Sequence, residues 1–287
     1  MNNSRDTYLK AIAKIERFSP APRVLGQAMT LLRDTDVDVD EITSLIKTDA
    51  ALTTDIIRGA NSAFYGAGER VSSLDRAVQK IGFAECIRLL NFSVARTLSA
   101  RDLVNYGIAA EDFWAESLFN GLFMECLARA TRAIDPDTAH TAGLLRYVGR
   151  LAINECLGQL GVFQAWDGTK PLHAWELENV GFPQTEAAAH LLRAWNFSDE
   201  ISTSIEYQDE PERAGHAGNL LAALHFTASV LPEGMGLSYA VMPSEHETRN
   251  VAGSRFVTDH GINAEFTKEL LDQTRIQFTE INDKLYA

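Results

Sequence analysis

The chain has 287 residues, of which 46% are hydrophobic and 23% charged, and its net charge is −13. This composition is typical of a globular protein with a sizeable core and excludes a disordered chain. No run reaches the roughly 18 uncharged apolar residues of a membrane span, and the polar N-terminus lacks the apolar stretch of a signal peptide. Because Lys and Arg form no basic run, the acidic surface should repel nucleic-acid phosphates. We therefore expect a cytoplasmic protein with no membrane and no nucleic-acid partner.

Helical periodicity dominates the chain, and no sustained apolar–polar alternation predicts a strand. In the first third, helices are expected over 41–57, 74–81 and 84–98. Asp38 and Glu41 resemble a capping box at the first of these starts. The second should be capped by Ser72 or Ser73 and end at Gly82. Further helices are predicted over 112–130, 140–159, 184–195, 219–230 and 264–285, so the fold should be all-α.

A change in composition near 99–107 suggests a junction between two helical units. We expect an N-terminal helical bundle over 1–105, a second helical subdomain over 106–231, and an irregular segment with a C-terminal helix over 232–287. The stretch 231–260 is the least regular because it contains two prolines and three glycines.

The three cysteines, Cys86, Cys126 and Cys156, lie far apart in apolar, helical-looking segments. An odd number without a CxxC pair indicates reduced, buried thiols, with a reactive thiol as the alternative.

One motif stands out in the first third, RGANSAFYGAG over 58–68. Asn61 and Ser62 can satisfy backbone groups at a helix end, Tyr65 belongs to an aromatic pair, and Gly66 permits a positive φ. The motif is typical of a helix exit that docks on neighbouring helices. A partner-binding or ligand surface is the alternative.

The order of several segments resembles the HDOD domain family, regulatory relatives of the HD and HD-GYP phosphohydrolases. In the first half the matching segments are SPAPRVLGQAMTLLRD, LIKTDAALTTDIIRGANSAFYG and VSSLDRAVQKIGFAECIRLL. In the second half they are FWAESLFNGLFMECLA, AHTAGLLRYVGRLAINECL and EAAAHLLRAWNFSDEISTSIEYQDEP. The family usually has proline where Ala50 stands. The resemblance implies that 1–105 is the first half of an HDOD domain and 106–231 an HD-like subdomain.

An active HD enzyme holds divalent metal through His and Asp side chains on separate helices, and the metal activates water for attack on phosphorus. The resemblance places other residues at those positions here, so it implies a degenerate site that binds no metal and no cofactor. The seven histidines form no HExxH, HxxxH or HxH pair that could replace the lost ligands. The residues of this vestigial pocket are Glu116, Arg146, Tyr147, Gln184, Gln208 and Asp209, with Thr227 near the final aspartate position.

Arg146 stands in place of the histidine of the His–Asp pair. A unit positive charge about 4 Å from a dication is repelled by roughly 8 kcal/mol at an effective dielectric constant near 20. Arginine cannot relieve this repulsion by losing its proton. We therefore hypothesise that Arg146 has replaced the metal, pairing with Glu116 or Asp209 across the old cavity.

The resemblance implies a bacterial regulatory module without catalysis, which contacts signalling proteins through helical faces such as 264–285. One alternative is a metal-dependent phosphohydrolase of HD type. Another is a sensor whose vestigial pocket binds a nucleotide or another small anion through Arg146.

Overall fold

The computed structural model describes residues 21–32, 38–62, 65, 70–159, 161, 165–215, 218–234 and 254–286. Gly66 of the predicted motif and most of the least regular stretch, 231–260, lie outside these residues.

The described part of the chain is all-helical, as predicted, and contains no strand beyond one isolated antiparallel bridge between Leu103 and Ile108. A 3-10 turn, Val104–Tyr106, lies within the predicted junction and is called the junction turn below, and a second 3-10 turn is Pro211–Ala214. The α-helices are α1 (Ala21–Leu31), α2 (Val39–Lys47), α3 (Ala50–Ala60), α4 (Leu74–Ile81), α5 (Phe83–Leu98), α6 (Ala110–Thr131), α7 (Pro136–Leu145), α8 (Val148–Gln159), α9 (Leu172–Asn179), α10 (Gln184–Ala194), α11 (Asp199–Glu206), α12 (Asn219–Gly234), α13 (Arg255–Asp259) and α14 (Ala264–Tyr286).

Local capping sets several of the bounds. Ser73 caps α4 by accepting a hydrogen bond from the Arg76 N–H, and Gly82 ends the helix with φ of +87°. Asp38 caps α2 through the Asp40 N–H. The predicted cap residues are thus confirmed at both helices.

The predicted helix over 41–57 is in fact two helices, α2 and α3. Asp49 separates them, because its carboxylate accepts hydrogen bonds from Ala51 N (2.9 Å) and Leu52 N (3.1 Å) and so starts a new helix. Ala50, at the position where the family has proline, is the first residue of α3.

The predicted helix over 140–159 is also broken, at Arg146 and Tyr147, into α7 and α8. Glycines on either side of the break let the two halves approach different helices. A Cβ at Gly143 would lie 2.5 Å from Asn120 O on α6, and a Cβ at Gly149 would lie 1.8 Å from Gln184 O on α10. Periodicity alone cannot detect a break imposed by docking on two partners.

Helix α6 forms the centre of the molecule. Almost every residue from Phe113 to Ala128 is buried, and the helix is packed between α7, α12 and α14. A helix that is hydrophobic on all sides is stable only when it is enclosed in this way. One core cluster runs from Val24 on α1 to Leu270 on α14, so helices of both predicted units share it.

All three cysteines are free and buried, as predicted. Burial raises the pKa of the Cys86 thiol to about 12 and that of Cys156 to about 11. Both therefore remain neutral thiols at physiological pH. Among the described helices, none is long and apolar enough to cross a membrane.

Candidate functional site

The residues of the predicted vestigial pocket come from four parts of the fold and meet in the interior. Glu116 lies on α6, Arg146 and Tyr147 lie in the break between α7 and α8, Gln184 begins α10, and Gln208 and Asp209 follow α11. All are buried except Asp209, which is partly exposed. Hydrogen bonds and ring contacts join Arg146 to Gln208 and Tyr147, whereas Glu116 and Gln184 are held by residues outside the predicted set.

Arg146 is 1% exposed, and its guanidinium is held by amide oxygens. Its Nε donates to Gln208 Oε1 (3.0 Å), and its Nη1 donates to Asn120 Oδ1 (2.8 Å). Gln208 Nε2 donates back to the Arg146 carbonyl at 3.3 Å. The side chain therefore connects α6 to the segment that follows α11.

The predicted pairing of Arg146 with Glu116 or Asp209 needs correction. Glu116 instead forms a salt bridge with Arg150, near the start of α8. The distance between Arg150 Nη1 and Glu116 Oε2 is 3.4 Å. Arg146 reaches Asp209 only through its electrostatic field, which opposes the rise in the pKa of that carboxyl. The amide oxygens of Gln208 and Asn120 accept the hydrogen bonds from Nε and Nη1 of Arg146, and the sequence did not indicate these partners.

Tyr147 is enclosed by two cations. The guanidinium carbon of Arg150 lies 3.8 Å from the centre of its ring and that of Arg146 lies 4.5 Å away. The electron-rich faces of an aromatic ring attract such cations, most strongly where water is excluded. Arg146, Tyr147 and Arg150 are called the arginine cluster below.

Two carboxyl groups lie near the arginine cluster, the buried Glu176 and the partly exposed Asp209. Burial raises the pKa of Glu176 to about 7, against the opposing effects of the Gln184 N–H, Arg150 and the Tyr106 hydroxyl. Burial also raises the pKa of Asp209, although Arg146, Arg150 and two histidines, His225 and His173, favour its charged form. The interior therefore holds permanent cations and carboxyl groups of weakened acidity.

A cleft of about 430 Å³ opens beside Asp209. Its acidic wall consists of Glu186, Glu206, Asp209 and Glu210, and its basic groups are His173 and Arg213. Arg213 is paired with Glu210. Neither Arg146 nor Arg150 lines this cleft, and its acidic side chains outnumber its basic ones.

A divalent metal does not fit this set of residues. Nowhere in the described part of the chain do three or more His, Cys, Asp or Glu side chains gather in a metal-binding arrangement. Of the two possible ligands from the sequence, Glu116 is engaged by Arg150, and Asp209 lies in the field of both arginines. The guanidinium groups of Arg146 and Arg150 cannot lose their protons, so neither can supply the neutral nitrogen ligand that a metal would need.

The motif in the first third acts as a helix exit in the residues described. Asn61 fixes both backbone groups of Val71, donating to its O and accepting from its N at 2.8 Å each. The Ser62 carbonyl accepts from the Tyr65 N–H, and the Tyr65 hydroxyl donates to Glu85 Oε2 at 2.8 Å. These contacts tie the end of α3 to the segment before α4 and to α5.

The sequence analysis missed several residues of the site. Asn120 lies four residues after Glu116 on α6 and could have been found by this spacing. Arg150 lies four residues after Arg146, which would place it on the same face of the predicted helix over 140–159. His225, whose Nδ1 lies 2.7 Å from the Gln208 carbonyl oxygen, and Glu176 carried no local signal. Both matter only because the fold brings distant segments together.

Comparison with known proteins finds relatives in sequence and in structure. The chain is 27% identical to an uncharacterized protein of Treponema pallidum (strain Nichols) over 200 residues, which make up 68% of this chain but only 38% of that relative. A candidate signal transduction protein of Marinobacter aquaeolei VT8 superposes with a TM-score of 0.70 and 20% identity, covering 98% of this chain and 64% of that one. A candidate phosphohydrolase of Shewanella amazonensis SB2B gives a TM-score of 0.62 and 21% identity, with 96% and 98% covered.

The two structural similarities establish the fold, and their low identities carry no activity across. The HDOD domain itself matches residues 19–211, which is well over half of the chain. The chain belongs to the HDOD domain family.

Proposed function

We propose that the protein is a non-catalytic regulatory module of signal transduction that acts through contacts with other proteins. The observation that carries this proposal is the arginine cluster, which fills the interior at the place where the family resemblance puts the His–Asp pair of HD enzymes. A module that keeps the helical fold but has lost its metal ligands retains surfaces for binding and little means of catalysis.

The phosphohydrolase alternative has a clear electrostatic difficulty. Each guanidinium within about 4 Å of a dication would oppose its binding by roughly 8 kcal/mol at an effective dielectric constant near 20. Glu116 and Asp209 would have to offset two such charges while Glu116 also remains paired with Arg150.

The anion-sensor alternative is also disfavoured, in this case by the accessible cleft. A nucleotide or another small anion would meet four carboxylates there, against one arginine that is already paired. Arg146 is too deeply buried, at 1% exposure, to receive a ligand without rearrangement of the interior.

The experiment that tests the proposal combines an activity assay with capture of partners. The wild-type chain and Asp209→Asn are incubated with cyclic dinucleotides and nucleotides in the presence of Mn²⁺, Mg²⁺ or Fe²⁺. We expect equal, background hydrolysis by both. Metal-dependent hydrolysis by the wild type that is lost in Asp209→Asn would overturn the proposal.

Cross-linking and affinity capture from the source organism test whether the chain binds signalling proteins. We expect signalling proteins to be enriched over an unrelated bait of similar negative charge, which controls for electrostatic background. Enrichment no greater than that of the control bait would count against a role in protein–protein signalling.

A further inference from the structure

A second cavity, of about 550 Å³, opens between α1 and the starts of α7, α11 and α12. It is called the α1–α7 groove below. It shares no lining residue with the cleft beside Asp209. Its volume lies within the range of about 300–1,000 Å³ that is typical of binding pockets. The proposed function has so far given this groove no role.

The apolar part of the groove comes from three parts of the chain. Met29 and Leu32 lie on α1, Ile134 precedes α7, and Leu220 lies near the start of α12. Met29 and Leu220 belong to the main core, whereas Leu32 and Ile134 are only partly buried and pack against it. The groove therefore offers apolar surface that a partner could remove from water.

The charged part of the groove is acidic. Asp135, Asp137 and Glu200 line it, and its described lining residues include no Lys, Arg or His. Asp135 also caps α7, because its carboxylate accepts a hydrogen bond from Thr138 N at 2.8 Å. The groove thus combines apolar side chains with an excess of negative charge.

Asp137 is the carboxyl group that would gain most from a cation in the groove. It is partly buried, and burial together with the charges of Asp135 and Glu125 raises its pKa, against the opposing effects of Arg88 and His140. Arg88 already forms a salt bridge with Glu125, at 2.9 Å. A positive charge brought close to Asp137 would favour its ionised form.

Contacts between helices hold the walls of the groove in place. Asn219 Nδ2 donates to Ala133 O at 3.1 Å, which joins the start of α12 to the turn before α7. Thr141 Oγ1 lies 3.9 Å from Met29 Sδ, so α7 also contacts α1 directly. A groove that is already formed loses little conformational entropy when a partner binds.

We propose that the α1–α7 groove is a docking site for a basic segment of a partner protein, in which Arg or Lys side chains stand beside aliphatic ones. This proposal rests on the proposed function, because it names the chemistry of the partner. The aliphatic side chains would cover Leu32 and Ile134, and the cations would lie near Asp137. Apolar surface surrounded by polar groups is the usual arrangement of protein interfaces, and charge complementarity favours a basic partner over an acidic one.

Binding of synthetic peptides to the full chain tests the groove, with NMR of ¹³C-labelled Met, Ile and Leu methyl groups as the measurement. The probes are a short peptide that alternates Leu with Arg, one with Glu in place of each Arg, and one with Ser in place of each Leu. We expect only the Leu–Arg peptide to shift the methyl signals of Met29, Ile134 and Leu220, and to do so saturably. Equal shifts by the Leu–Glu peptide, or no shifts at these methyl groups, would overturn the proposal.

A variant of the groove tests the role of its charge. Asp137→Asn should weaken binding of the Leu–Arg peptide by about fivefold and make it less sensitive to salt. Asp259→Asn is the matched control, because it removes the same charge from an exposed side chain that does not line the groove. It should bind the peptide as the wild type does, and an equal loss in both variants would overturn the proposal. The peptide series leaves the chain unaltered, so it decides the question even if Asp137→Asn does not fold.

Two other occupants of the groove would also overturn the proposal. Methyl shifts that grow with protein concentration in the absence of peptide would indicate a second copy of the chain. Binding of cadaverine, a small diamine, as tightly as the Leu–Arg peptide would indicate a free amine. Failure of the groove is distinguishable from failure of the proposed function, because signalling proteins that are captured equally by the wild type and Asp137→Asn would exclude this surface alone.

Discussion

Arg146, in the break between α7 and α8, and Arg150, on α8, have different partners. Arg146 satisfies two amide oxygens, whereas Arg150 neutralises Glu116, a carboxylate that is itself only 9% exposed. Removal of one member of a buried ion pair leaves the other charge without compensation, which costs more than the pair contributes when both are present. The stability of this interior therefore depends on the arginine cluster.

Arg150→Met should lower the free energy of unfolding by about 3–5 kcal/mol, because Glu116 is then buried without its cation. Glu116→Gln in the same chain should recover part of the loss, with a coupling of about 1–3 kcal/mol in a double-mutant cycle. Urea unfolding measures both. The control is Arg101→Met, which breaks a 3.3 Å pair with Glu155 whose arginine is 72% exposed. It should cost about 1 kcal/mol or less, and equal losses for Arg101 and Arg150 would contradict the argument from burial.

Among the helices, the ends that are set by capping residues could be predicted from the sequence, whereas the breaks within two predicted helices could not. The caps of α2 and α4 and the end of α4 follow from Asp38, Ser73 and Gly82, and these were predicted. The breaks at Asp49 and at Arg146 were missed. The second arises from docking of α7 on α6 and of α8 on α10, which a single segment of sequence does not encode.

The two glycines of α8 separate packing from helix propensity. Gly149→Ala should destabilise the fold by about 3 kcal/mol or more, because its Cβ would collide with the backbone oxygen of Gln184 and force α8 away from α10. Gly158→Ala, on the same helix with nothing within 4 Å of its Cβ, should instead stabilise by roughly 0.5–1 kcal/mol. Thermal unfolding of both variants checks this. A Gly149→Ala chain as stable as the wild type would show that the approach of α8 to α10 is less close than described.

For the whole molecule, the order of the family-like segments predicted the family, and helical periodicity predicted the all-α class. Neither predicted which side chains contact one another within the site. The segments around Asn61 and Arg146 carry the family resemblance because their local sequence is distinctive. The role of Arg150 depends on its contact with Glu116, 34 residues away, and that of Glu176 on its contact with Tyr106, 70 residues away. No periodicity reports such contacts.

We propose that arginines hold this HDOD interior in place of a metal. Equilibrium dialysis of the purified chain against Mn²⁺, Fe²⁺ or Zn²⁺, followed by elemental analysis by mass spectrometry, tests it most directly, with Asp209→Asn as the comparison. We predict that neither chain retains metal in a fixed ratio to protein. A whole number of metal ions bound per wild-type chain, and lost in Asp209→Asn, would show that this interior holds a metal after all.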